Sequence, residues 1–241
     1  MGRWGETGSN YIALGDSYSS GEGAGSYSGG SCDRSANAYP QQWANANAPA
    51  SFTFVACSGA TTSDVLSSQV SSLSSSTTLV SITIGGNDVG FSSVMQTCLL
   101  ESTSSCESAV ATADAKVASP LPASLDGTLQ TIRKDAPSAR IVVLDYPDLY
   151  DLSRSGSCIG LSTADRTALN QGADELDSAI SAAAVRNGDT FLDVRSQLSG
   201  HEICDSRSWL HSVTWPIDES YHPTAGGQEV GYLPVFGSAA P

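Results

Sequence analysis

The chain has 241 residues, of which 40% are hydrophobic, and a formal net charge of −14. A surface this acidic repels phosphate backbones, which argues against a nucleic-acid partner. No apolar run approaches the ~20 residues that a membrane-spanning helix needs. We therefore expect one globular domain over residues 1–241, with at most transient contact with a membrane or lipid surface.

Strands and helices alternate in the hydrophobic pattern. Short, nearly continuous apolar runs predict strands of a parallel sheet buried on both faces. They are Tyr11–Leu14, Phe52–Ala56, Leu79–Ile84, Arg140–Asp145 and Thr190–Val194. Helical periodicity occupies Thr62–Leu73, Leu121–Lys134 and Thr163–Arg186, whereas Ser67–Thr78 and Ser102–Ser108 have the composition of helix surface and loop. The alternation predicts an α/β fold, a flavodoxin-like three-layer αβα sandwich around a five-stranded parallel sheet.

Six cysteines are spread along the chain without a Cys-x-x-Cys pair, and the three histidines are not spaced with them as zinc ligands. This pattern predicts three disulfides and an oxidising compartment, and the alternative is buried free cysteines in a cytosolic protein. Sequential pairing, each bridge in a segment after a strand, gives Cys32–Cys57, Cys98–Cys106 and Cys158–Cys204. The disulfides lead us to expect a secreted protein. Its signal peptide is then absent from this sequence, since Met1–Glu6 contains no apolar signal core.

Glycine-rich turns follow the first three predicted strands. Ser17 follows Gly15-Asp16 after the first strand, Gly59 follows the second, and Gly85-Gly86 precedes Asn87 after the third. The carboxyl ends of parallel strands meet at one edge, so these residues are expected to share a crevice. A serine hydroxyl, a backbone N–H and an asparagine amide are the parts of a nucleophile and an oxyanion hole. Each turn taken alone also fits an ordinary strand-to-helix connection, and for Asp16-Ser17 and Gly59 by themselves that is the favoured interpretation.

A serine nucleophile requires a base, and histidine is the usual one. His222 lies past the last predicted strand, where its loop can reach the same edge, and Pro223 stiffens its backbone. The competitors are His201 and His211, for which we expect packed or surface roles.

These blocks, in this order, resemble the SGNH hydrolases, also called the GDSL-type esterases and lipases. The matching residues are Gly15-Asp16-Ser17, Gly59, Gly86-Asn87-Asp88 and His222-Pro223. The resemblance spans nearly the whole chain. The longer segment Ala13–Gly25, together with the six cysteines, is similar to the secreted actinobacterial lipase, esterase and phospholipase branch.

The resemblance implies roles for particular residues. Ser17 would be the nucleophile and His222 the general base, with an oxyanion hole made by the Ser17 N–H, the Gly59 N–H and the Asn87 side chain. It also implies a five-stranded parallel sheet between helices and no metal or organic cofactor.

The sequence departs from the family where a carboxylate should orient the histidine. The usual pattern is Asp-x-x-His, but Glu219 occupies the position three before His222, and Asp218 is one residue further back. Either the Glu219 carboxylate orients the imidazole, or a backbone carbonyl does, as in the secreted branch. We favour the carbonyl of Ser220.

The expected function is that of a secreted serine esterase or lipase acting on carboxylic esters. Lipid or fatty-acyl esters, phospholipids among them, are favoured if the aromatic segment Trp209–Pro216 lines an acyl groove, and the alternative is that it caps the core. Two other functions remain open: a carbohydrate acetyl esterase, and a non-catalytic carbohydrate- or lipid-binding module. We expect a monomer whose partner is a small-molecule or lipid ester.

Overall fold

The computed structural model describes residues 8–157 and 160–240, and its centre is a parallel sheet in the order β2-β1-β3-β4-β5. The strands are β1 (Asn10–Ala13), β2 (Ser51–Phe54), β3 (Leu79–Ile82), β4 (Arg140–Leu144) and β5 (Thr190–Leu192). This is the flavodoxin-like strand order that the sequence predicted. Each strand ends one or two residues before its predicted end, because the backbone leaves the sheet there and turns toward the candidate site.

Helices cover both faces of the sheet. Within the described residues they are α1 (Ser17–Ser20), α2 (Tyr39–Asn47), α3 (Thr62–Ser67), α4 (Gly86–Val89), α5 (Phe91–Leu100), α6 (Thr103–Ala118), α7 (Leu121–Asp135), α8 (Thr163–Asn187), α9 (Arg195–Leu198) and α10 (Leu233–Gly237). Short 3₁₀ turns occupy Gln69–Ser72, Leu152–Ser157 and Ile217–Glu219, and a π-helical turn occupies Gly227–Tyr232.

The strand order fixes the layers. The chain moves one way along the sheet from β1 to β2 and the other way from β2 to β5, so right-handed crossovers place the intervening helices on opposite faces. In agreement, α2 packs against α10, whereas α3 contacts α7 and α7 contacts α8. On the α2 side, Tyr11, Trp43 and Phe236 form a buried aromatic cluster with ring centroids 5.3–5.7 Å apart.

The predicted helix Thr62–Leu73 is wrong in its second half. The α-helix ends at Ser67 and a 3₁₀ turn follows. The break arises because the Gln69 side chain is turned inward: its Oε1 accepts from Gly15 N at 2.8 Å and its Nε2 donates to Gly15 O at 2.9 Å. A straight helix would give up both of these buried hydrogen bonds.

Of the described helices with nine or more residues, three were not predicted from the sequence: α2, α5 and α6. Helix α6 begins inside the segment Ser102–Ser108, and the Ser102 side chain caps it by accepting from Ser105 N. Its many small and polar residues weaken the hydrophobic periodicity that would reveal a helix.

Two of the three predicted disulfides are present, Cys32–Cys57 and Cys98–Cys106. The first ties the loop after α1 to the end of β2, and the second joins α5 to α6. Cys158 lies outside the described residues, so the pairing Cys158–Cys204 stays a prediction. None of the described helices is long and apolar enough to cross a membrane.

Candidate active site

Ser17 is the first residue of α1, directly after the turn that ends β1. Gly15 adopts φ +122°, and a Cβ there would lie 2.5 Å from Thr83 O and 2.6 Å from Ser19 Oγ, so only glycine fits. The Asp16 side chain caps α1 by accepting from Tyr18 N at 3.0 Å. This tight turn holds the Ser17 hydroxyl at the carboxyl edge of the sheet.

Asp16 also connects the turn before Ser17 to the turn before Asn87. Its second oxygen accepts a hydrogen bond from the Tyr146 hydroxyl, which in turn accepts from Gly86 N at 2.9 Å. Burial raises the pKa of Asp16 to about 7, although the bond from Tyr146 acts in the opposite direction. The turn that presents Ser17 and the turn that presents Asn87 therefore share one buried tyrosine.

The three residues predicted to supply oxyanion donors, Ser17, Gly59 and Asn87, line one cavity. Gly59 has φ +77°. Within the described part of the chain, neither the Ser17 N–H nor the Gly59 N–H donates a hydrogen bond. Asn87 Nδ2 donates one hydrogen to Ala60 O at 3.0 Å, which fixes the amide and leaves its second hydrogen for a ligand.

His222 meets the nucleophile directly: its Nε2 lies 2.7 Å from Ser17 Oγ. The Tyr18 hydroxyl positions the preceding backbone by donating to Tyr221 O at 2.7 Å. Burial lowers the pKa of His222 to about 4, so the ring is neutral at pH 7 and able to accept the serine proton.

Among the described residues, no side-chain carboxylate forms a hydrogen bond with the other nitrogen of His222. Nδ1 makes no hydrogen bond of good geometry among the described residues, but the backbone carbonyls of Ser220 and Asp218 lie close enough to favour the protonated ring. Glu219 Oε1 instead accepts from the Tyr27 hydroxyl at 2.7 Å. The geometry favours the carbonyl alternative over the Glu219 alternative.

The other two histidines bind backbone away from Ser17. His201 stacks on Trp209 with ring centroids 3.5 Å apart, and its Nδ1 lies 2.7 Å from Arg207 O. His211 Nε2 lies 2.8 Å from Gly23 O.

An apolar cavity of about 220 Å³ opens beside Ser17 and runs between α5, α6 and α8. Its apolar lining comprises Val89, Phe91, Val94, Val110, Ala113, Val117, Leu149, Leu169, Ala173 and Leu176. The α6 and α8 members recur at helical spacing, so one face of each helix forms a wall. None of Trp209–Pro216 lines this cavity, so the acyl groove, one of the two roles that the sequence left open for this segment, is not the role seen here. Trp215 is instead 86% exposed.

Glu22 is a site residue that sequence reasoning missed. It is buried at the cavity, its Oε2 lies 3.6 Å from His222 Nε2, and the same oxygen accepts from the Ser58 hydroxyl. A charged residue between two glycines in the loop after the nucleophile was the available signal. Among the described residues, Glu22, Asp33 and Asp218 are the carboxylates grouped closely enough to share a cation, but no second feature marks a ligand and we assign none.

Known proteins share this architecture and sequence. The model of the GDSL-like lipase/acylhydrolase family matches residues 13–230. Lipase 1 of Streptomyces coelicolor is 55% identical over 233 residues, which is 95% of this chain and 86% of that protein. The crystal structure of phospholipase A1 from Streptomyces albidoflavus NA297 superposes with a TM-score of 0.94 at 55% identity, covering 97% of this chain and 100% of that one. The extracellular lipase of Streptomyces rimosus gives a TM-score of 0.93 at 50% identity, covering 96% and 99%.

Proposed function

The chain belongs to the GDSL-like lipase/acylhydrolase family and is a carboxylic ester hydrolase, and we propose that it cleaves lipid or fatty-acyl esters through an acyl-enzyme on Ser17. The observation that carries this proposal is the Ser17 Oγ–His222 Nε2 distance of 2.7 Å at the mouth of an apolar cavity.

In the first half-reaction Ser17 Oγ attacks the ester carbonyl carbon while its proton passes to His222 Nε2. The carbonyl oxygen becomes an oxyanion, which accepts hydrogen bonds from the Ser17 N–H, the Gly59 N–H and the Asn87 amide. Each such donor is worth about 3 kcal/mol of transition-state stabilisation. The carbon–oxygen bond to the alcohol then breaks, and Nε2 returns the proton to the departing alkoxide.

In the second half-reaction water replaces the alcohol. Neutral His222 takes a proton from the water as its oxygen attacks the acyl carbon, and the same donors hold the second oxyanion. The acid leaves when the carbon–Ser17 Oγ bond breaks, and His222 returns the proton to Ser17. The depressed pKa of His222 keeps the ring available as a base in both halves.

The cavity favours an acyl chain over an acetyl group as the bound part of the substrate. Valine, leucine and alanine side chains line the part of the cavity that α6 and α8 form, and of the lining residues on these two helices only Asp114 has a side chain that would hydrogen-bond a sugar. Burying methylene groups against this wall stabilises binding by about 0.8 kcal/mol for each CH₂. Phospholipids belong to the same proposal, since one relative is named as a phospholipase A1.

The loop before His222 fits contact with a lipid surface. Val213, Trp215 and Ile217 are 51%, 86% and 58% exposed, and two hydrogen bonds between Ser220 and Thr214 close the loop. Tryptophan is favoured at the boundary between lipid and water. We expect the contact to be transient and weakest on anionic bilayers, because the chain carries a net charge of −14. Export, as for the relative described as extracellular, belongs to the same proposal and agrees with the disulfides.

A chain-length series tests the proposal. Hydrolysis of p-nitrophenyl esters from acetate to palmitate is expected to favour the longer chains, and Ser17→Ala is expected to abolish turnover while keeping the wild-type melting temperature. Retained turnover in Ser17→Ala would refute the nucleophile. A preference for acetate alone would favour the carbohydrate esterase alternative.

A further inference from the structure

The transfer of the serine proton creates a positive imidazolium, and the described residues place no carboxylate at its Nδ1. A carboxylate there is what normally stabilises the charged ring in a serine triad. Backbone carbonyls are dipoles, and the Asp218 charge favours the protonated ring without lying within ion-pair distance of it.

Glu22 approaches from the other side of the ring. Its Oε2 lies 3.6 Å from His222 Nε2, the atom that receives the proton, and its side chain is only 5% exposed. The Ser58 hydroxyl donates to this same oxygen, which holds it in place beside the ring. A buried charge at this distance interacts far more strongly than the same pair does in water.

We propose that Glu22 is the charge partner of His222, whose carboxylate stabilises the imidazolium formed when Nε2 takes the proton of Ser17. Glu22 itself neither gains nor loses a proton in the cycle. The proton moves from Ser17 Oγ to Nε2 and then to the departing alkoxide, while the carboxylate stays ionised. The proposal rests on the proposed function, because it needs Ser17 and His222 to act as nucleophile and base.

The surroundings of Glu22 predict where activity changes with pH. The titratable groups that face it are Asp16, Tyr18, Asp33, Asp218 and His222. Burial raises the pKa of Glu22 to about 7; the Ser58 hydroxyl lowers this pKa, and Asp33 is the neighbouring charge that raises it most. Since the pKa of His222 is about 4, the loss of activity on acidification should follow Glu22 and not His222.

The test is the pH dependence of kcat and kcat/KM on p-nitrophenyl butyrate, measured with EDTA present so that no divalent cation masks the carboxylates. Wild type is expected to lose activity below about pH 7. In Glu22→Gln the acidic side of the pH–activity profile (the acid limb) should move to lower pH. The plateau kcat should fall about 10- to 100-fold with little change in KM. That range corresponds to one to two pKa units of charge interaction.

Two further variants separate this role from a structural one. Ser58→Ala removes the hydrogen bond that lowers the pKa of Glu22, so its acid limb should move to higher pH. Asp33→Asn removes a repelling charge, so its acid limb should move to lower pH. General damage to the site would not shift the two limbs in opposite directions.

Each outcome decides the proposal. An acid limb that does not move in Glu22→Gln, with Ser17→Ala inactive, would overturn the role of Glu22 and leave the proposed function intact. Turnover retained by Ser17→Ala would overturn both. If Glu22→Gln does not fold by circular dichroism, the opposite shifts in Ser58→Ala and Asp33→Asn carry the test, and unmoved limbs in both would refute it.

Discussion

Tyr146→Phe probes the connection between the two turns that present Ser17 and Asn87. The substitution removes one oxygen and keeps the ring, which packs edge-on against Tyr18 at 4.9 Å. Two buried groups then lose a partner: the Gly86 N–H, at 2.9 Å from that oxygen, and the Asp16 carboxyl. The variant therefore measures what this single hydroxyl contributes.

The expected loss of unfolding free energy depends on pH. At pH 5.5, below the Asp16 pKa of about 7, the variant loses two hydrogen bonds of neutral groups, or about 2 kcal/mol. At pH 8.5 Asp16 is ionised, and an unpaired buried carboxylate raises the loss to about 4 kcal/mol. The sign follows from the pKa of Asp16. Removing the Tyr146 hydroxyl raises this pKa further in the folded state, so the folded protein loses more stability as the pH rises through the Asp16 pKa.

Urea unfolding at both pH values, followed by circular dichroism, gives these free energies. Tyr232→Phe is the matched control, because its buried hydroxyl donates to a neutral acceptor, Asp145 O, at 3.0 Å. The control should lose about 1 kcal/mol at either pH. An equal loss at both pH values in Tyr146→Phe would refute an ionised Asp16 as its partner. In the folded variant we also expect kcat for ester hydrolysis to fall, since the two turns are no longer joined.

Three other predictions follow from the site. Glu219→Ala should leave kcat within about threefold of wild type, because the Glu219 carboxylate binds the Tyr27 hydroxyl and not His222; a loss near 10⁴-fold would restore the triad alternative. Ala113→Leu should fill the cavity and lower kcat/KM on p-nitrophenyl palmitate relative to butyrate, and an unchanged ratio would place the acyl chain elsewhere. Trp215→Ala should weaken binding to phosphatidylcholine vesicles in a sedimentation assay without changing butyrate hydrolysis, whereas Val185→Ala, at an apolar residue of α8 that is 70% exposed, should alter neither.

Much of the sheet was predictable because buried parallel strands leave a strong local signal. Strand runs such as Leu79–Ile84 are nearly continuous in apolar residues, and their order fixes where the following turns converge. The sequence predictions for Ser17, Asn87 and His222 therefore fell on residues that the fold brings to one cavity.

The remainder depends on tertiary contacts that have no local signature. Helix α6 is rich in small and polar residues, so nothing in its periodicity indicates that it walls a cavity. The break before Gln69 exists only because Gly15 offers two backbone partners from a distant turn. Glu22 became visible as a site residue only when the fold placed it against His222.

The Cys32–Cys57 bridge makes one covalent tie beside the active site depend on the oxidation of two cysteines. It closes directly before Ser58 and Gly59, so the segment with a predicted oxyanion donor is covalently tied to the loop after α1. In a reducing cytoplasm the chain would hold its nucleophile and base but lack this tie. We therefore expect ester hydrolysis to be slower with this bridge reduced than with it formed.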